Sequence, residues 1–336
     1  MDLKTKGLKM KYTKLGNTGI PVSKICLGTM TFGYTVDEKE SNVLLQRALE
    51  LGINFFDTAN VYGRGRSEEI LGAAIKERRS EVVIASKVFW SFSQPQAAGL
   101  SRSFVLNELE GSLQRLQTDY VDIYYAHRYD ASVSAENMLR TFNIAINDGK
   151  IRHIGASTMH AWELVKSLWV ADKLALEPIQ IIQPQYNLLY REEEREMLPL
   201  CTDQNIAVAP WAPLGQGVLT GRYTRDNLPD TPRASGEDIQ HWFLREKDFE
   251  IIDRLVEVAE KKGATPAQIA LAWVFSKDAI TTPIVGVSKM EHLEQAIEAL
   301  EIELSSEETD YLEELYQPRN LIGHHGGHPM AGDKQD

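Results

Sequence analysis

The sequence predicts an α/β fold, a (β/α)8 TIM barrel with an N-terminal β-hairpin and extra helices near its C-terminal end. Three observations predict it. Short apolar runs alternate along the chain with longer segments of helical apolar spacing, and there are eight such runs. Most are rich in Val and Ile and apolar on both faces, as strands of a parallel sheet covered on each side must be. The Gly-rich fingerprint that a doubly wound open sheet wants after its first strand is missing, because SKICLG is followed by TMTFGYTV. Eight strands joined by right-handed helical crossovers are enough to close a barrel, so the barrel is the better reading.

In chain order, residues 8–22, LKMKYTKLGNTGIPV, carry N-T-G between β-type segments and predict a hairpin plugging the barrel's N-terminal end. The barrel strands are SKICLG (23–28), GINFFD (52–57), EVVIASK (81–87), YVDIYYAH (120–127), IRHIGAS (151–157), PIQIIQ (178–183), IAVAPW (206–211) and TTPIVGV (281–287). Helical spacing marks SNVLLQRALELG (41–52), SFVLNELEGSLQRLQ (103–117) and AENMLRTFNIAINDGK (135–150), read as closing near a Gly. A Gly/Pro/charge-rich excursion at 212–248 interrupts the repeat, and an excursion of that length inside a domain usually serves function or is disordered. Two helices follow, DFEIIDRLVEVAEKKG (248–263) and TPAQIALAWVFSK (265–277), the second with a Thr cap and Pro in first position.

The 336 residues fit two ordinary domains or one barrel, and the barrel reading makes them one domain, with its core at 10–315 and a flexible tail at 316–336. Hydrophobic residues at 43% and charged residues at 25% are ordinary globular usage, enough for a large core. The net charge, 36 − 48 = −12, with no long basic run, argues against nucleic acid or an anionic membrane as partner. Cys26 and Cys201 sit in apolar contexts and read as reduced, buried thiols. The basic start MDLKTKGLKMKYTKL has no apolar segment for a secretory signal, and no apolar run is long enough to span a bilayer, so a cytoplasmic location is expected.

Function in such a barrel gathers at the C-terminal ends of the strands. There the sequence places Asp57, Lys87 and His127, with Tyr62 in the loop after the second strand. Each has a plain structural reading: Asp57 as a turn cap in DTAN, Tyr62 as a rim aromatic, His127 as a satisfied core histidine. Lys87 resists one, because a lysine ending an apolar strand is costly to bury unless paired, and Asp57 is on the neighbouring strand. Together the types suit proton donation to a carbonyl. A tyrosine hydroxyl, with an ordinary pKa of about 10, is a weak donor near neutrality, and a nearby ammonium favours its ionised form. A carboxylate then holds the ammonium, and a histidine orients the substrate oxygen.

Beyond this set, VGVSKMEHLEQA (285–296) runs a strand into Gly286 and opens a helix at Ser288 and Lys289, a pattern that suits an anion. A simple Ser cap with a solvated lysine is its plain alternative. GQGVLTG is a near-miss to a phosphate-binding glycine loop.

The segment INFFDTANVYGRGRSEEILGAAI, followed by IASKV, YYAH, IGAS, QPQYNLLYR, PWAPLGQGVLTGRY and GVSKMEHLEQA, resembles the aldo-keto reductase superfamily over most of 10–315. QYNLLYREEEREMLPLC and YAHRYD look closest to its aryl-alcohol-dehydrogenase-like branch, next to the potassium-channel β subunits. The resemblance implies a catalytic tetrad of Asp57, Tyr62, Lys87 and His127, with Tyr62 as general acid. It implies NADPH as cofactor, lying across the barrel mouth and preferred over NADH. Gly28 and Thr29 would flank it, Ser157 and Gln183 would hold its carboxamide, and Trp211 would stack on the nicotinamide. Ala212, Pro213, Leu214, Gly215 and Gly217 would wrap the pyrophosphate, with Arg222 beyond. Gly286, Ser288 and Lys289 would take the 2′-phosphate, and His292 and Gln295 the adenosine.

Three positions depart from the family's pattern: Thr158 and Ala296 stand where Asn is usual, and Gln295 where Glu is common. The expected substrate is a small-molecule carbonyl, aromatic or mainly apolar, walled by Phe32, Phe89, Trp90, Arg128 and Tyr129, with Arg128 also suited to an anionic group. Two other functions stay open on the residues, a Schiff-base aldolase using Lys87 and a cofactor-sensing interaction subunit. No metal is expected. The histidines at 324, 325 and 328 read as part of a flexible Gly-rich tail.

Overall fold

The computed structural model describes residues 10–93, 97–225, 228–229 and 242–322. The strands are β1 (Tyr12–Lys14), β2 (Pro21–Ser23), β3 (Cys26–Gly28), β4 (Phe55–Asp57), β5 (Val83–Val88), β6 (Val121–Ala126), β7 (Ile151–Ser157), β8 (Ile179–Gln183), β9 (Ala207–Val208) and β10 (Ile284–Gly286). The helices are α1 (Glu38–Glu50), α2 (Arg66–Ile75), α3 (Arg102–Leu116), α4 (Ala135–Asn147), α5 (Ala161–Leu174), α6 (Met197–Asp203), α7 (Glu246–Lys262), α8 (Pro266–Phe275), α9 (Met290–Glu298) and α10 (Ser306–Glu313).

All eight expected barrel strands form, and they lie in one parallel sheet in the order β10-β3-β4-β5-β6-β7-β8-β9. The two edges meet through Thr281 N donating to Val208 O and Ile284 N to Pro210 O, each 2.9 Å. Closure matters because it removes the edges and seats every strand end around one mouth. The hairpin forms as β1 against β2, antiparallel, with Tyr12 opposite Ser23. Its loop carries Leu15 to complete burial, and Leu15 and Val22 pack in one cluster with Phe55, Ala85, Tyr125, Ile181 and Ala207 inside the barrel. The plug is therefore real, although residues 8 and 9 of its expected span lie outside the described residues.

The helices start where local chemistry satisfies their first N–H groups. Asp37 accepts from Glu40 N at 2.8 Å to open α1, which buries Leu44, Leu45, Ala48 and Leu49 on one face. Thr265 caps α8 in a reciprocal pair with Gln268, with Pro266 in first position. The core between strands and helices is continuous from Ile25 to Ile322.

One expectation changes. Residues 316–322, expected to begin a free tail, instead pack: Tyr316 hydroxyl donates to Glu192 at 2.7 Å and Ile322 is 7% exposed. A buried ion pair from Arg319 to Asp248 of α7 pins this segment, a bond that composition could not reveal. The tail histidines, and residues 226–227 and 230–241 of the long excursion, lie outside the described residues.

Candidate active site

Side chains alternate along a strand, so each barrel strand points every second residue inward. The inward set includes Cys26, Phe55, Val83, Ala85, Ile123, Tyr125, Ile181, Ala207, Ala209 and Ile284. One step of two further along each strand reaches Gly28, Asp57, Lys87, His127, Gln183, Trp211 and Gly286. The candidate site is thus the top layer of the barrel's own interior. The register agrees: Gly28 pairs with Asp57, and Asp57 with Ala85, which leaves Lys87 one inward step higher.

Lys87 is fully buried and 2.5 Å from Asp57 Oδ1. It also donates to Thr58 O at 2.8 Å and to the Tyr62 hydroxyl at 3.2 Å. The other Asp57 oxygen accepts from Gln183 Nε2 at 2.8 Å. Burial alone pulls the Lys87 ammonium's pKa down, but attraction to Asp57 and Tyr62 and its hydrogen bonds to both outweigh this and raise it. The ammonium therefore stays charged and its three donors are spent. A Schiff base needs a free neutral amine, so this geometry does not suit the aldolase reading.

Tyr62 is delivered by the loop after β4. Gly63, Arg64 and Gly65 follow with φ of 54°, 56° and 89°, a left-handed run that is easy only where glycine supplies it. The Tyr62 ring meets His127 edge-on at 5.9 Å between centroids, and His127 meets Trp90 at 5.1 Å. Burial first, then the charges of Lys87 and Arg128, push the His127 pKa well below its usual range. Its Nδ1 is buried and has no partner among the described residues.

A neutral buried His127 makes stability pH-dependent. The unfolded imidazole takes a proton near pH 6.5 while the folded one does not, so stability present above that pH falls as pH drops below it. Between pH 7.5 and 5 the native chain is expected to lose about 1–2 kcal/mol more than His127→Gln. Urea titrations at both pH values measure this, and parallel pH slopes would show that His127 is not held neutral.

Most other expected residues reach the mouth. The Ser157 hydroxyl donates to Gln183 O at 2.9 Å. Trp211 Nε1 donates to Thr158 Oγ1 at 3.2 Å. After Trp211 the backbone turns left-handed at Ala212, Gly215, Gln216 and Gly217, with Pro213 and Leu214 between. On the far side, Ser288 Oγ lies 3.4 Å from His292 Nδ1. Burial, then Arg222 and Lys289, lower the His292 pKa, so both cations stand near it. Gln295 bonds Glu291 on its own helix.

Some expectations are corrected. Phe32 is 0% exposed and packed in the main core, so it does not wall the mouth; the tight turn after β3 folds it inward. That turn instead presents Met30 and Tyr34, 50% and 80% exposed. With Thr31, Val61, Tyr62, Gly63 and Arg64 they line an open cleft of about 320 Å³. Thr29 is at the strand end, but its hydroxyl is committed to Asp57 O at 3.0 Å and to Ser67 Oγ at 2.7 Å, leaving only main chain to offer. Thr158 was passed over. It is buried at φ 51°, rare for a β-branched residue, and its hydroxyl takes bonds from both Trp211 and Arg128. Its place directly after Ser157 was the available signal.

A closed parallel barrel whose mouth gathers Asp57, Lys87, Tyr62 and His127 defines the class, a barrel enzyme. The chain belongs to the aldo/keto reductase family, whose family model matches residues 24–317. It is 36% identical to the versiconal hemiacetal acetate reductase of Aspergillus parasiticus, over 93% of this chain and 98% of that one. It is 36% identical to a protein of Oryza sativa subsp. japonica provisionally named voltage-gated potassium channel subunit beta, over 92% and 98%. It is 37% identical to a Schizosaccharomyces pombe protein provisionally named aryl-alcohol dehydrogenase, over 93% and 97%. The expected branch, between aryl-alcohol dehydrogenases and channel β subunits, is the one these relatives occupy. Among the described residues, no helix is long and apolar enough to cross a membrane.

Proposed function

We propose that this protein is an NADPH-dependent reductase of aldehydes and ketones, a single cytoplasmic barrel domain in which Tyr62 is the general acid. The observation that carries this reading is the buried chain from Asp57 to Lys87 to Tyr62, at 2.5 Å and 3.2 Å. Tyr62 gives its proton to the carbonyl oxygen, and the ammonium of Lys87 stabilises the negative charge left on the phenol oxygen. Asp57 holds Lys87 in place, itself held by Gln183. His127, neutral, hydrogen-bonds the carbonyl oxygen and orients it.

The cofactor, when bound, supplies the hydride that reduces the carbonyl carbon. The residues around the mouth fit it. Gly28 and Gly286 end their strands without side chains, and a Cβ at Gly286 would meet nothing within 4 Å. The left-handed run from Ala212 to Gly217 turns main chain toward a pyrophosphate, and Trp211 offers a flat partner to the ring. Ser157 and Gln183 are assigned to the carboxamide. Gly286, Ser288 and Lys289 are assigned to the 2′-phosphate, with Arg222 beyond the pyrophosphate loop and near His292, and His292 and Gln295 to the adenosine. A hollow of about 480 Å³ at Ser288 and Lys289 is also lined by Asp37, Lys39 and Glu40, so its charge is mixed. This makes the preference for NADPH over NADH the demanding part of the proposal.

Titration of tryptophan fluorescence with each cofactor tests it. Quenching of Trp211 is expected to saturate at a much lower concentration of NADPH than of NADH. Equal midpoints would remove the phosphate role from Ser288 and Lys289, and no quenching by either would remove the reductase reading. The names of the relatives keep one second reading, a cofactor-sensing interaction subunit. Rapid multiple turnover of aldehydes separates the two.

A further inference from the structure

Among the described residues, the buried or half-buried guanidinium groups follow a rule, and one breaks it. Arg79 pairs with Asp122 at 2.8 Å, Arg115 with Glu68 at 2.7 Å, Arg191 with Glu194 and Glu313 at 2.8 and 2.7 Å, and Arg319 with Asp248. Each offsets the cost of taking a cation from water with a carboxylate. Arg128 is half-buried at the barrel mouth and has no carboxylate among the described residues. Asp130, two residues on, spends its oxygens on Leu100 N, Ser132 N and the Ser132 hydroxyl. Burial lowers the Arg128 pKa, opposed only by Tyr62.

The bonds Arg128 does make are one-sided. Nη1 donates to His127 O at 2.8 Å and to Thr158 Oγ1 at 3.3 Å, and the guanidinium carbon lies 5.3 Å from the Trp90 ring centroid. Nε and Nη2 bond nothing among the described residues, and neither is sealed from solvent. That leaves the paired Nε/Nη2 edge, the fork that matches a carboxylate with two parallel hydrogen bonds, open beside His127 and Trp90.

We propose that Arg128 is a specificity-determining residue that binds a carboxylate on the substrate, so that the protein prefers aldehydes carrying an anionic group over neutral ones of the same shape. The inference rests on the reductase reading for where the carbonyl lies, next to Tyr62 and His127. It adds the missing counter-ion: the substrate completes the pairing that every other buried arginine named above finds within the fold. Thr158 and the His127 carbonyl hold the guanidinium plane, and the Trp90 ring covers a side of it.

The test compares 4-formylbenzoate with its neutral methyl ester. Calorimetric binding to the chain saturated with NADP+, where no reduction occurs, keeps the result independent of turnover. Steady-state reduction with NADPH is a second readout. The native protein is expected to bind the acid about 10- to 100-fold more tightly than the ester. Arg128→Met should lose that difference while ester binding changes little, and Arg128→Lys should keep part of it. Acid and ester binding equally to the native protein would overturn the proposal. So would an equal loss of both in Arg128→Met, which would mark Arg128 as a support for His127. A fall in NADPH affinity matching the loss of the acid would assign the anion to the cofactor and overturn it too. Acid selectivity in binding without reduction of either compound would leave Arg128 as proposed and sink the reductase reading instead.

Discussion

Tyr62→Phe is expected to lower the turnover of aldehydes by about 100- to 10,000-fold, the range a positioned proton donor contributes. The substitution removes one oxygen at a half-buried position and leaves the ring against His127 at its 5.9 Å contact. It also leaves the Asp57–Lys87 pair intact, so stability should change little. NADPH affinity, read by fluorescence, should stay within a few-fold of native, because the residues proposed to hold the cofactor do not include Tyr62. The signature is therefore a fall in kcat with binding preserved, as for a group that acts in the transition state. Turnover within tenfold of native would mean that another donor, His127 or solvent, protonates the oxygen, and the role of Tyr62 would fall.

Lys87→Met should be the most damaging single change in the barrel. It removes the ammonium that supports Tyr62, so activity should drop at least as far as in Tyr62→Phe. It also leaves the Asp57 carboxylate buried with only Gln183 as a side-chain partner among the described residues. Breaking a buried pair from one side costs about 3–5 kcal/mol, because the remaining charge has neither water nor counter-ion. Lys87→Met with Asp57→Asn removes both charges and should recover much of that loss while staying inactive. Urea unfolding of the two variants separates the terms. If the double variant is no more stable than the single one, the pair is not the buried ion pair described above, and catalysis by a lysine-supported tyrosine loses its basis.

The candidate site was legible to an unusual depth for one reason. In a closed parallel barrel the inward row of each strand alternates strictly, so a polar residue two positions beyond the last apolar inward one must face the mouth. Asp57 follows Phe55, Lys87 follows Ala85 and His127 follows Tyr125 in that step, and strand ends are visible in sequence; Trp211, one such step beyond Ala209, was expected only from the family resemblance. Loops carry no such period. Phe32 and Tyr34 lie in one turn and are both aromatic, yet one is wholly buried and the other 80% exposed. Only the path of the turn decides between them. The sequence marks Thr158 only as a departure from the family's Asn, because its hydroxyl accepts from Trp211 and Arg128 only through the left-handed backbone at that residue.

Local patterning by itself determined the order of the eight barrel strands, the hairpin plug, several of the helices between them, the helix cap at Thr265, and which residue types stand at the strand ends. Those are properties of neighbours along the chain, where apolar period and capping chemistry act over a few residues. The tertiary structure alone decided the distances at which Lys87 meets Asp57 and Tyr62, the pairing of Arg319 with Asp248, and the lack of any carboxylate for Arg128 among the described residues. Whether a buried charge finds its partner depends on which strand and loop ends meet in space. Electrostatic energy in a low-dielectric interior depends on that separation and not on distance along the chain.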